Sequence, residues 1–167
     1  LVELLPLSDI EPQAVEHLLD AAFGTDRFGR TAYRIRAGVD AVPALSFAAV
    51  EDGALIGTIQ CWPVAHRAAD GKATPLVMVG PVAVYPGQQR GGHGRTLMAH
   101  MLEAAETKAD SALMMIGDPE YYGRFFGFDA DATGVWDLPG PFERRRLLAR
   151  VVNGHALPTG AGMIGPR

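Results

Sequence analysis

The stretch GPVAVYPGQQRGGHGRTLMAHML, residues 80–102, decides the fold. It carries the end of an apolar strand, expected from about Pro75 to Tyr85, directly into a glycine-rich turn and then into a helix. That helix, expected over Arg95 to Ala109, puts Leu97, Met98, Met101, Leu102 and Ala105 on one face and points His100, Glu103 and Glu106 elsewhere. Gly91, Gly92 and Gly94 let the backbone close around a small anion without side-chain clashes, and a helix N-terminus offers unpaired N–H groups and a partial positive charge. Arg90 and Arg95 add charge of the same sign. The turn therefore predicts a phosphate or pyrophosphate ligand.

Two familiar phosphate loops do not fit. The dinucleotide fingerprint needs a third glycine where this chain has Leu97, and no acidic ribose partner follows in a later strand. The nucleotide P-loop needs a lysine, and residues 88–95 contain none. The pattern that does match is Q-x-x-G-x-G, with Gln89, Gly92 and Gly94 in register.

Working outward, Val2 to Leu7 reads as a strand, and Ser8 and Glu11 stand at capping-box spacing before a helix carrying Val15, Leu18, Leu19 and Ala22, stopped by Gly24. Arg30 to Ala37 is a second, weaker helix. Leu45 to Val50 and Leu55 to Val64 form a hairpin across Asp52 and Gly53, with Leu55, Gly57, Ile59 and Cys61 on one face and Thr58 and Gln60 on the other. On the C-terminal side, Ala112 to Ile116 is a strand, Tyr121 to Phe126 a short helix or turn, and Thr133 to Leu138 a strand. Phe142 to Val152 is expected as an arginine-rich helix, and Ala156 to Ile164 has some strand character.

Composition bounds the function. The 167 residues are 48% hydrophobic and 20% charged, with a net charge of −4, which describes one globular domain without the basic footprint of a nucleic-acid binder. Cys61 is the only cysteine, expected as a buried small hydrophobe; it excludes disulfide scaffolds and cysteine-based zinc sites and fits a cytoplasmic setting. The longest nearly unbroken apolar run, Leu76 to Val84, is far short of the roughly 20 residues that span a bilayer, so no membrane partner is expected. The chain opens on Leu1, which leaves a trimmed leader open.

The strand, the Q-x-x-G-x-G loop and the helix together resemble the core motif of the GNAT superfamily of N-acetyltransferases. MIGDPEYYGRFFGF, residues 115–128, is similar to that family's next strand, its tyrosine-bearing turn and the Gly-Phe pair that opens its last strands. The resemblance implies an α/β fold with a mixed, mostly antiparallel central sheet, flanked by helices and splayed at the cofactor cleft between the strands at 75–85 and 112–116. It implies a single acetyltransferase domain over 1–167, with a core of about 2–138 and an extension over 139–167. The cosubstrate implied is acetyl-CoA, without a metal. Its pantetheine arm would pair with backbone groups of Val82, Ala83 and Val84, one of whose N–H groups would polarise the thioester carbonyl. Its diphosphate would lie on the loop Gln89, Arg90, Gly91, Gly92, His93, Gly94 and Arg95. A neutral primary amine of a small molecule or peptide would then attack the acetyl carbon directly in a ternary complex, with a tyrosine protonating the departing thiolate. The alternative on the same fold is an acyl-CoA-binding sensor without turnover.

The tyrosine departs from the family pattern. Relatives place it four residues before the glycine of Gly-Phe, an offset that here, from Gly127, lands on Gly123. Tyr122 stands five before and Tyr121 six before. One inserted residue turns helical side chains by about 100 degrees unless a bulge absorbs it. A bulge near Phe125 and Phe126 would keep Tyr122 as the general acid and send Tyr121 elsewhere. The general base is open among Asp118, Glu120 and water. Arg144, Arg145 and Arg146 read as a solvated helix face, His66 as a surface residue, and the tail from Gly154 to Gly165 as a strand within the chain or across a homodimer.

Overall fold

A computed structural model describes all residues from Leu1 to Arg167. The chain runs through β1 (Val2–Pro6), α1 (Pro12–Phe23), α2 (Thr31–Ile35), β2 (Phe47–Glu51), β3 (Ala54–Arg67), β4 (Ala73–Val84), α3 (His93–Lys108), β5 (Ala112–Ile116), α4 (Pro119–Phe126), β6 (Trp136–Asp137), β7 (Leu147–Arg150) and β8 (Gly162–Pro166). The strands build one sheet in the order β1-β2-β3-β4-β5-β7, with β8 lying beside the far end of β3 and β6 beside β8. All pairings are antiparallel except β4 with β5 and β6 with β8. This is the mixed, mostly antiparallel α/β sheet that the sequence implies.

The layers follow from periodicity. Leu97, Met98, Met101, Leu102 and Ala105 of α3 are all buried and pack on Ile59, Cys61, Val77, Val79, Leu113 and Met115 on one face of the sheet. The opposite face carries a second core, in which Ile35, Trp136, Leu138 and Ile164 cover Val64, Leu76, Met78, Ala112 and Met114. On that same side α1 lays Val15, Leu18 and Leu19 over Ala83. Cys61 is fully buried as expected, and burial pushes its thiol up, which keeps it a protonated, inert core residue.

Two bulges shape the long central strands. The register between β2 and β3 slips between Ala49 and Val50, so Ile56 is the extra residue. Leu55 is thereby turned away from Gly57 and packs beside α1, whereas the alternation read from sequence puts the two on one face. A second slip sets Gly80 and Pro81 of β4 against the single residue Gln60. Pro81 has no N–H to withhold from the ladder, and Gly80 adopts φ +126°, a region open to glycine. The indole N–H of Trp62 donates to the Gly80 carbonyl at 2.7 Å and fixes the bulge.

Several expectations are corrected. Helix α1 is capped at Glu11 with Pro12 in its first turn, and no Ser8 side-chain cap forms. Of Thr133 to Leu138, only Trp136 and Asp137 are strand. Phe142 to Val152 is not a helix: Leu147, Leu148 and Ala149 are an unbroken apolar run buried on both sides, and they pair with β5 as β7. The arginines ahead of them form a 3-10 turn with three separate roles. Arg144 donates from one nitrogen to the carbonyls of Thr133, Gly134 and Trp136 at 3.1, 2.9 and 3.0 Å, Arg145 pairs with Glu120, and Arg146 faces the cleft described below. His66 is 2% exposed, its ring lies against Gly162 and its Nε2 is 3.1 Å from the Gly160 carbonyl. The tail strand β8 pairs with β3 of its own chain.

Arg144→Met keeps the stem and removes the shared donor for three loop carbonyls. It should lower unfolding stability by about 1.5–3 kcal/mol, the range for hydrogen bonds to a charged group, measured by urea denaturation; a change within about 0.5 kcal/mol would show that the loop holds itself.

Candidate active site

The site begins where β4 and β5 part. They pair at Leu76 with Ala112, Val77 with Leu113 and Met78 with Met114, and nowhere beyond. From Val79 to Val84 the second edge of β4 has no partner strand, because the bulge at Gly80 and Pro81 bends β4 away from β5. The gap is the inner wall of a cleft of about 800 Å³, within the roughly 300–1,000 Å³ range of small-molecule sites. Val79, Gly80, Pro81 and Val82 line one side; Met115, Ile116 and Tyr122 line the other. Phe23 and the segment around α2 close one end, and the loop Pro141, Phe142, Glu143 and Arg146 closes another.

Beyond Val84 the chain makes the glycine turn. Gln89 to Gly91 form a single 3-10 turn, and Gly92, at φ +72°, adopts the left-handed conformation that starts α3 at His93. Thr96 N–H is the first to bond back, to the Gly92 carbonyl at 3.0 Å. The N–H groups of His93, Gly94 and Arg95 precede it, and no side chain caps them. A β-carbon built on Gly94 would lie 3.8 Å from Val82 and 4.0 Å from Val84, so this bare N-terminus sits directly against the open part of β4. Arg90 is exposed, and the Arg95 guanidinium stacks 4.1 Å from the Phe125 ring. Ala83 turns its side chain into the α1 core and can offer the cleft only backbone groups.

Tyr122 arrives on α4. Asp118 caps that helix through a 3.1 Å bond from Glu120 N–H, and with Glu120 held by Arg145 neither carboxylate lines the cleft. No bulge interrupts α4 at Phe125 and Phe126. The helix runs unbroken to Phe126 and ends in a widened last turn, where Gly127 N–H is shared between the Gly123 and Tyr122 carbonyls and Phe128 N–H also reaches Tyr122. Of the two tyrosines only Tyr122 lines the cleft, while Tyr121 stacks on Phe125 and Phe126. Gly117 makes room for the ring, since a β-carbon there would come within 2.7 Å of it. Burial, and secondarily Tyr121, raises the Tyr122 phenol above the ordinary value of 10.0, with Arg146 pulling the other way. Its proton is therefore retained throughout the neutral range.

The wall around α2 is what the sequence leaves hidden. Arg27, Arg30, Arg36 and Arg146 line the cleft with one carboxylate, Glu143. Arg27 is neutralised by Glu16 and Asp20 and also donates to Tyr33. Burial opposes its charge, but these bonds outweigh that effect and raise its pKa. These residues come together from segments far apart in the chain, and no linear spacing announces them.

Comparison with known proteins agrees with this geometry. The acetyltransferase (GNAT) domain family matches residues 5–130. Among solved structures, the GNAT family N-acetyltransferase YhbS from Escherichia coli, crystallised in complex with CoA, superposes with a TM-score of 0.69 at 22% identity, covering 100% of this chain and 89% of that one. A GNAT family acetyltransferase from Brucella melitensis in complex with acetyl-CoA gives 0.65 at 23% identity, covering 100% and 96%. No curated protein sequence matches the chain. The splayed sheet and its glycine turn are those of an acyltransferase fold. The chain belongs to the GNAT acetyltransferase family.

Spectrophotometric titration checks the phenol. The difference between the native protein and Tyr122→Phe should be one tyrosine ionising above 10.0; an ionisation at or below that value would contradict its burial in the cleft wall.

Proposed function

We propose that this chain is an N-acetyltransferase that moves the acetyl group of acetyl-CoA to a primary amine by direct attack in a ternary complex. The observation that supports this reading is a cleft lined by an unpaired strand edge and a half-buried, protonated tyrosine, with an uncapped helix N-terminus lying against Val82 of that edge. The residues present fit the cosubstrate. Gly92 carries a positive φ that a side chain would strain, and the space beside it is open, as a diphosphate held by the N–H groups of Gly92 to Arg95 requires. Arg90, with Gln89 and Gly91 in the same turn, adds positive charge around that anion. The bare edge at Val82, Ala83 and Val84 offers ladder groups to an amide-bearing arm.

When bound, acetyl-CoA would supply an activated thioester. The chain's own part is proton handling and polarisation. A backbone N–H on the unpaired Val82 to Val84 edge would polarise the thioester carbonyl, where negative charge would develop. Glu143, the only carboxylate lining the cleft, takes one proton from the acceptor ammonium and passes it to water. As the N–C bond forms and the C–S bond breaks, Tyr122 gives its proton to the sulfur and recovers one from the new amide nitrogen.

Gly94→Glu tests the cofactor half. Gly94 has helical backbone and a β-carbon there would meet Val82 and Val84 only at ordinary van der Waals distance, so the variant should fold, yet place bulk and negative charge against the diphosphate and abolish CoA binding in calorimetry. Unchanged affinity in the folded variant would remove the basis of the assignment. Tyr122→Phe tests the chemistry: kcat should fall roughly 100-fold or more with CoA affinity retained, and Tyr121→Phe should be mild. The reverse ranking would move the role to Tyr121.

A further inference from the structure

The cleft wall holds a cation that nothing in the acetyl-transfer machinery uses. Arg36 is only 8% exposed and lines the cleft at the end of α2. Its guanidinium is sandwiched between two rings, 3.9 Å from the centre of Tyr33 and 3.9 Å from that of Trp62. No carboxylate pairs with it, and its Nη1 has no hydrogen-bond partner at all. Burying a guanidinium without a counter-charge is unfavourable, and burial accordingly lowers its pKa. Arg27, nine residues earlier on the same wall, shows how a buried arginine is otherwise satisfied in this fold, since it takes two carboxylates and a phenol. The stacking fixes the plane of Arg36, and its position is fixed further because Trp62 is itself tied to the Gly80 carbonyl at the bulge. A planar fork held in this way suits an oxyanion in the same plane. Arg146, which has no ion-pair partner, adds charge from the opposite loop. The one carboxylate there, Glu143, is also free of an ion pair.

We propose that Arg36 is the specificity determinant for the acceptor, and that the acceptor is a zwitterion, an amine that also carries a carboxylate, with the carboxylate on Arg36 and the ammonium toward Glu143. This rests on the N-acetyltransferase reading and deepens it. A free amino acid or a short peptide with a nearby carboxylate has this chemistry. A simple alkyl amine, or the amide of the same amino acid, would leave the guanidinium unpaired.

The test measures acetyl transfer from acetyl-CoA to a panel of amino acids, the matching amino-acid amides and the matching decarboxylated amines, with aminoalkyl phosphates as a separate arm. The native protein should prefer the acid over its amide and its decarboxylated analogue by about 30-fold or more in kcat/KM, mostly through KM. Arg36→Gln should collapse that ratio toward one, and Arg36→Lys, which keeps the charge without the fork, should retain only part of it. Acetyl-CoA affinity is the folding control for both variants; if Arg36→Gln does not fold, the native ratio and Arg36→Lys decide. Transfer to amides or plain amines as fast as to acids, or a ratio untouched by Arg36→Gln, would overturn the role of Arg36 while leaving acetyl transfer standing. A preference for the phosphates alone would overturn the carboxylate assignment. Acetyl-CoA binding with no transfer to any amine would overturn the acyltransfer reading itself, and this proposal with it.

Discussion

Everything in this molecule that bears on function depends on a strand edge left unpaired in the middle of a sheet. Sheets bury their edges or blunt them, because a bare row of N–H and C=O groups is a template for another chain. Here β4 loses β5 after Met78 and gains no other neighbour on that side up to Val84. The cause is local. Gly80 and Pro81 stand against Gln60 alone, Pro81 has no donor to lose, and Trp62 holds the Gly80 carbonyl. The open edge is protected from other chains by lying inside a cleft, with α4 and the 141–146 loop across from it. A ligand that supplies amide groups to that edge completes the sheet.

The same parting of strands fixes the electrostatics. One end of the gap abuts the start of α3, where backbone N–H groups go uncapped; the other meets the wall around α2, where Arg36 lies between two rings without a counter-ion. Tyr122 sits between them on α4, in a place that only Gly117 leaves open. The cleft is thus polarised by a helix terminus at one end and side-chain cations at the other, in a protein whose overall charge is negative.

What the sequence discloses and what it hides divide along physical lines. Helix α3 and the strand before it are legible because five apolar residues recur at helical spacing after a long apolar run, and glycines punctuate the join. Tyr122 is legible only through the family resemblance; it lines the cleft, but the bulge expected at Phe125 and Phe126 does not form, since α4 runs unbroken to Phe126. Leu55 defies its alternation because a bulge at Ile56 shifts the pleat, and such a shift leaves no mark in a periodic pattern. Leu147 to Ala149 show the ambiguity of short apolar runs, which suit a strand or a helix until a partner such as β5 decides. The arginine wall is the deepest omission. Arg27, Arg30, Arg36 and Arg146 share a surface only after folding, and the run 144–146 conceals that its three members go three ways, to loop carbonyls, to Glu120 and to the cleft.

Hydrogen–deuterium exchange with and without acetyl-CoA tests the central claim, that the open edge of β4 and the start of α3 form one cosubstrate site. Backbone amides from Val79 to Val84 and from Gly92 to Arg95 should slow together on saturation, while the outer strands β1 and β2 stay unchanged. Protection confined to other elements, or no protection at either segment under conditions where acetyl-CoA is bound, would contradict the account.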